Sequence, residues 1–152
     1  MNKRAFTLIE LMITIAIIGI LTGLATVSYT GIKLRARDAQ RQNDLNQISV
    51  VLATYYSAQI PSQYVASSGA NPPAKVVINS STDVLTVALE PNFIRDIPVD
   101  PLNTGNSVYR YQSYLNGAAT LHIDYALYAT FENKNNAKGT NGAVDGYKVQ
   151  PQ

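Results

Sequence analysis

The feature that most constrains this chain is the apolar run that opens Phe6-Thr7-Leu8-Ile9-Glu10-Leu11-Met12 and continues through Ile13, Ile15, Ile17, Ile18, Ile20, Leu21, Leu24 and Val27. As a helix rising about 1.5 Å per residue it reaches roughly 33 Å, enough for a hydrocarbon core of about 30 Å. Glu10 is the one formally charged side chain inside it. The basic residues flank it: Lys3 and Arg4 before, and Lys33, Arg35, Arg37 and Arg41 after. The pattern predicts a transmembrane segment over residues 6–30 and one globular head over 31–152. Lys3 and Arg4 place the N-terminus in the cytoplasm and the head outside. The basic residues of the later helix oppose that orientation, although acids beside them suggest pairing.

A carboxylate at mid-bilayer depth costs about 2.5 to 3.5 kcal/mol, so Glu10 needs an interfacial position or a cation beside it. A Glu in the first turn of a helix is also favoured by the helix dipole, and on the residues alone the two readings stay open. A secretory signal cut near Gly23-Leu24-Ala25 fits less well. Its apolar core would exceed the usual length of about 7 to 15 residues and would contain a carboxylate.

No Pro occurs between the run and Pro61. Leu45, Ile48, Leu52 and Tyr55 form an i, i+3, i+7, i+10 stripe, one face of an amphipathic helix. Arg35 with Asp38, Asp38 with Arg41, and Arg41 with Asp44 read as opposite charges at i+3, each pair worth a few tenths of a kcal/mol. One helix from about Phe6 to Ser57 is the simplest reading. Gly19 and Gly23 form a G-x-x-x-G pair that permits close helix approach in a membrane, with ordinary tolerance of Gly in such a span as the equal alternative.

The stretch from Ile60 to Lys75, with Pro61, Ser67, Ser68, Gly69, Asn71, Pro72 and Pro73, reads as a surface loop. Ser80 to Asp83 offers caps for a short helix through Val84, Leu85, Ala88 and Leu89, closed by Pro91. Ile97-Pro98-Val99-Asp100-Pro101 is an extended connection, because each residue before a Pro is pushed out of the helical region. Leu121, Ile123, Tyr125, Leu127, Ala129 and Phe131 alternate with polar and small residues at the period of a half-buried strand, and the odd-numbered set is expected to face the long helix. Val108 to Leu115 pairs with it through a turn at Asn116-Gly117, and a third strand follows around Tyr147 and Val149. Val76-Val77-Ile78 is too short to assign. The fold class is therefore α+β: a long N-terminal helix packed against a small antiparallel sheet.

The chemistry-bearing residues are sparse. With no cysteine there is neither disulfide nor thiolate metal site. His122 and Asp124 lie two apart on one strand, but no Cys nucleophile and no G-x-S-x-G elbow accompanies them, and a polar strand face explains both. Lys138-Gly139-Thr140-Asn141-Gly142 has its Lys on the wrong side of the glycines for a phosphate loop. Tyr109, Tyr111, Tyr114, Tyr125 and Tyr128 have no basic patch between them, which favours a packed or interface sheet over nucleotide stacking.

The start Met1-Asn2-Lys3-Arg4-Ala5-Phe6-Thr7-Leu8-Ile9-Glu10-Leu11 resembles the N-terminus of the type IV pilin and type II secretion pseudopilin superfamily. The resemblance implies a leader of residues 1–5 cut between Ala5 and Phe6, N-methylation of Phe6, and use of Glu10 with the Phe6 amine in filament assembly. Arg35-Ala36-Arg37-Asp38-Ala39, Asp44-Leu45 and the Ile97–Pro101 segment are similar, more loosely, to secretion-type major pseudopilins. Two positions depart from the pattern: Ala5 stands where Gly is more frequent, and Val27 where many members carry Pro.

The family implies a structural subunit, not an enzyme, that forms a homo-polymer with other pilin-like subunits. Its implied partners are a prepilin peptidase/methyltransferase and an inner-membrane assembly platform. The chain would pass once through the inner or cytoplasmic membrane before assembly and lie in a cell-surface pilus or periplasmic pseudopilus afterwards. Secretion-type pseudopilins bind calcium in a C-terminal loop, which makes Asn141 and Asp145 candidate Ca²⁺ ligands beside the plainer reading of a Gly/Asn turn. No other cofactor is implied. A reading from another class is a membrane-anchored extracytoplasmic binding protein, such as a DNA-uptake pilin. The formal charge is only +2, and removal of Lys3 and Arg4 leaves basic and acidic residues equal in number, which argues against a nucleic-acid binder.

Overall fold

The computed structural model describes residues 6–68, 73–79, 82–133 and 147–149, with the side chains of 24–28 and 147–149 excepted. The chain divides into two compact units, Met1–Ala36 and Arg37–Gln152. Helix α1 runs Leu8–Ala58, close to the expected bounds. Among the described residues no helix is long and apolar enough to cross a membrane. The stretch Leu8–Gly23 reaches about 24 Å at 1.5 Å per residue, short of a hydrocarbon core of about 30 Å. The remainder of the span expected over 6–30 runs into side chains outside the described residues.

In the second unit, α1 buries Leu45, Ile48 and Leu52 completely and Tyr55 in part, the stripe read from the sequence. These residues share one core with Ile78, Leu85, Leu89, Ile97, Tyr109, Tyr111, Tyr125 and Leu127. The sheet has four antiparallel strands in the order β1(Val76–Ile78), β2(Tyr109–Leu115), β3(His122–Ala129) and β4(Tyr147–Val149). The three residues left unassigned thus form β1, registered as Val76 with Tyr111 and Ile78 with Tyr109. Tertiary pairing with β2 supplies what their own length does not.

Helix α2 spans Val84–Leu89. Asp83 caps it, accepting from the amides of Leu85 at 3.0 Å and Thr86 at 2.9 Å, which satisfies donors that the first turn leaves open. Glu90, held extended before Pro91, ends it. The buried face is Leu85, Thr86 and Leu89, whereas Val84 is exposed.

Strand β3 departs from simple alternation in two ways. Ile123 is 48% exposed although it belongs to the odd-numbered set. The pairing explains this: Tyr114 opposes Asp124, but the next residue, Leu115, opposes His122, so Ile123 is an extra residue in the ladder. Such a bulge shifts the inside-outside alternation by one. Beyond it Tyr125, Leu127 and Ala129 are buried as expected, but so are Ala126 and Tyr128.

The outer face is covered by the segment before β1. Gln112 Nε2 donates to the Pro73 carbonyl at 2.7 Å. Lys75 Nζ lies 4.2 Å from the centre of the Tyr128 ring. The hydroxyls of Tyr114 and Tyr128 both donate to Gln112 Oε1, at 3.2 and 3.1 Å.

The loop after α1 is exposed at Ile60, Pro61 and Ser62 but turns inward further on. Tyr64, Val65 and Ser67 are buried. The Tyr64 amide donates to the His122 carbonyl at 2.8 Å, and the Tyr111 hydroxyl to that of Val65 at 2.6 Å. Ser67 and Ser113 exchange amide-to-hydroxyl bonds at 2.8 and 3.2 Å. These bonds do for an irregular segment what ladder pairing does for a strand, because buried backbone groups must find partners.

Candidate functional site

The candidate site is the first turn of α1. Thr7 precedes the helix and Glu10 lies three residues on. The Glu10 amide donates to Thr7 Oγ1 at 3.3 Å, while the Thr7 amide donates back to Glu10 Oε2 at 2.9 Å. The Thr7 hydroxyl adds a third bond to the same carboxylate oxygen at 2.7 Å. This is a capping box, in which a Thr and a Glu reciprocally satisfy orphan amides. The signal Thr7-x-x-Glu10 stood in the sequence and the reading above missed it. It fixes the Glu10 carboxylate at the very start of α1 beside Phe6, which is 79% exposed.

Downstream the apolar side chains find no cover among the described residues. Leu8, Ile9, Leu11, Met12, Ile13, Ile15, Ile17, Ile18, Ile20 and Leu21 are all exposed. The hydroxyls among them bond to the backbone of their own helix: Thr14 Oγ1 donates to the Leu11 carbonyl at 2.7 Å and Thr22 Oγ1 to that of Ile18 at 2.6 Å. Polar groups thereby need no water, a requirement of a helix in an apolar medium. A Cβ placed on Gly19 or Gly23 would meet nothing within 4 Å, so neither glycine serves a close approach inside this chain.

Residues 1–26 match a family model described as the prokaryotic N-terminal methylation motif. The chain carries the prepilin-type signal. Cleavage and methylation are what such a signal directs, and the capped Thr7–Glu10 turn and exposed Phe6 lie within its matched residues. No curated protein and no solved structure matches the chain. Ala5, on the other side of the expected cut, lies outside the described residues, as do the candidate calcium ligands Asn141 and Asp145.

The remaining polar constellation of the prepilin-like chain is internal to its head. Of the pairs expected at i+3 on α1, Asp38 with Arg41 forms, but Arg41 is 0% exposed and also holds partners distant in sequence. Its Nε and Nη2 donate to the two carboxylate oxygens of Asp100 at 2.7 and 3.1 Å. Its Nη1 donates to Asp38 at 2.8 Å and to Glu132 at 3.0 Å. Arg37 forks onto Glu132. Asp38 also accepts the amides of Glu132 and Asn133, each at 3.0 Å. Asp44 accepts the Tyr109 hydroxyl at 2.7 Å instead of pairing with Arg41. Hydrogen bonds from Arg37, and then from Arg41, outweigh desolvation and hold the Glu132 carboxyl down at about 2. Burial opposes the Arg41 charge, but its bonds to Asp100, Asp38 and Glu132 raise its pKa overall.

His122 and Asp124 do not form a reactive pair. The bulge at Ile123 separates them, His122 Nδ1 is buried with no hydrogen-bond partner among the described residues, and Asp124 accepts the adjacent Tyr125 amide at 2.7 Å. Burial pushes the imidazole pKa down. Of the tyrosines singled out in the sequence, Tyr109, Tyr111, Tyr125 and Tyr128 are buried, so stacking a ligand on those rings would require opening the head.

Proposed function

We propose that this chain is a structural subunit of a pilin-type filament, a type IV pilus or a type II secretion pseudopilus. It would be stored in a membrane through α1 and then polymerised through that same segment. In this reading the leader is removed between Ala5 and Phe6 by a prepilin peptidase, which also methylates the new amine. The observation that carries the reading is the first turn of α1: a prepilin-type signal whose single carboxylate is held by Thr7, next to Phe6, at the head of a helix whose apolar side chains from Leu8 to Leu21 are exposed.

Cleavage would turn the Phe6 nitrogen into a cation in a medium of low dielectric, where its natural counter-ion is a carboxylate at the same depth. Glu10 already has its helix-capping bonds from Thr7, so its remaining acceptor capacity is available to the amine of a neighbouring subunit. Such a pair would select one axial step. Contacts among Ile and Leu cannot do so, because lipid is equally apolar. Gly19 and Gly23 would then serve helix approach between subunits, and the assembly platform would receive each one from the membrane. The near-neutral head favours this over a DNA-uptake role.

The test is Glu10→Gln, which keeps size and removes charge. The variant should be cleaved and present at normal membrane level yet yield few filaments in a shear-and-pellet assay. Abundant filaments would reduce Glu10 to a capping residue.

A further inference from the structure

Four basic residues follow the apolar run, and the structure divides them. Arg37 and Arg41 are committed to Glu132, Asp38 and Asp100. Lys33 and Arg35 are exposed. No acidic residue occurs between Glu10 and Asp38, and Asp38 is itself buried against Arg41 and two amides. The local sequence therefore offers these two cations no counter-ion.

Their surroundings are specific. Tyr29 is 59% exposed, and Lys33, one turn on, holds its Nζ 4.7 Å from the centre of that ring. Ile32, between them, is exposed as well. At 3.6 residues per turn, Lys33 and Arg35 lie about 200° apart around α1, so the charges straddle the helix. At about 1.5 Å per residue, Tyr29 and Lys33 stand roughly 35 and 40 Å along α1 from Phe6, just past a hydrocarbon core of about 30 Å. An amphipathic ring with a long-stemmed cation against it suits that depth, where such side chains keep an apolar body in lipid and a polar tip among headgroups.

We infer that Tyr29, Lys33 and Arg35 form a collar that binds the headgroups of anionic phospholipids on the head side of the membrane. The inference rests on the membrane-stored subunit proposed above. It gives the two exposed cations on the head side of the apolar run a partner there, while Arg37 and Arg41 have theirs among the acids of the head. Lifting a subunit into a filament would then require breaking these headgroup contacts, so the anionic lipid content would set part of the barrier to extraction.

Spin-labelled lipids give the test. The full-length chain is reconstituted in phosphatidylcholine bilayers, and the motionally restricted fraction is compared for labelled phosphatidylglycerol and labelled phosphatidylcholine. The expected result is a several-fold preference for phosphatidylglycerol, bounded at roughly fivefold per cation from the attraction of one basic residue to an anionic surface. It should weaken with added salt and fall to near unity in the double variant Lys33→Gln, Arg35→Gln. Equal selectivity in wild type and variant overturns the collar while leaving membrane storage intact. Unchanged selectivity together with impaired filament yield would reassign the cations to a neighbouring subunit. No restricted lipid of either kind would overturn membrane storage and the collar with it.

Discussion

The two ends of α1 solve opposite problems with the same helix. From Leu8 to Gly23 the apolar side chains are exposed, and the side-chain hydrogen bonds of Thr7, Glu10, Thr14 and Thr22 reach no more than four residues along the chain. From Arg37 onward α1 turns Leu45, Ile48 and Leu52 inward and reaches Asp100, Glu132 and Tyr109 far along the sequence. A segment satisfied locally in its polar groups, whose apolar ones find no cover among the described residues, is what the proposed membrane storage and assembly would require. A segment whose charges and apolar groups are both satisfied by distant residues is complete by itself. The proposed division between an anchoring or assembly segment and a head rests on where each half finds its partners.

The sharpest way to break this comparison is to put a charge into the head's core. Leu127→Asp should unfold the head by far-UV circular dichroism, because a buried unpaired carboxylate costs several kcal/mol, whereas Asp124→Ala should change little. If the two behave alike, the inward face of β3 is misassigned. Next in size is Arg41→Ala, which leaves Asp38 and Asp100 buried without their cation and should cost about 3–5 kcal/mol in urea unfolding. Arg35→Ala, on an exposed side chain, should stay within about 0.5 kcal/mol.

A smaller effect comes from acid. The folded pKa of Glu132 is about 2 against an ordinary value of 4.5. Its stabilisation is therefore present above pH 4.5 and is lost as pH falls from there toward 2. Glu132→Gln should flatten that part of the stability profile. The smallest expected effect sharpens the comparison from the other side: Ile17→Ala should leave the head's thermal midpoint unchanged, since Ile17 is exposed, while lowering filament yield. A shifted midpoint would show that the two halves are not energetically separate.

Much of this was legible in one dimension because its causes are local. The stripe Leu45, Ile48, Leu52, the Asp83 cap and the Pro91 stop each depend on neighbours within a few residues, and the antiparallel hairpin of β2 and β3 on a nearby turn. What escaped the sequence depends on distance or on a slip of one residue. Nothing at i+3 or i+4 announces that Arg41 meets Asp100 and Glu132, so only the Asp38 member of its buried cluster was legible. The bulge at Ile123 inverts a pattern that is otherwise regular, and the burial of Tyr128 requires knowing that residues 73–75 cross the outer face. At the candidate site Glu10 stood out by its charge alone. The Thr7 half of its capping box was visible in the spacing and was passed over because a single carboxylate in an apolar run drew the attention to charge.

The central claim is that the chain begins as a precursor whose mature end is Phe6, set beside Glu10. Intact mass of the protein extracted from membranes tests this most directly. The account predicts a chain starting at Phe6 and carrying one added methyl group on its amine. A chain that retains Met1 to Ala5, or one that starts near Thr26, would contradict it.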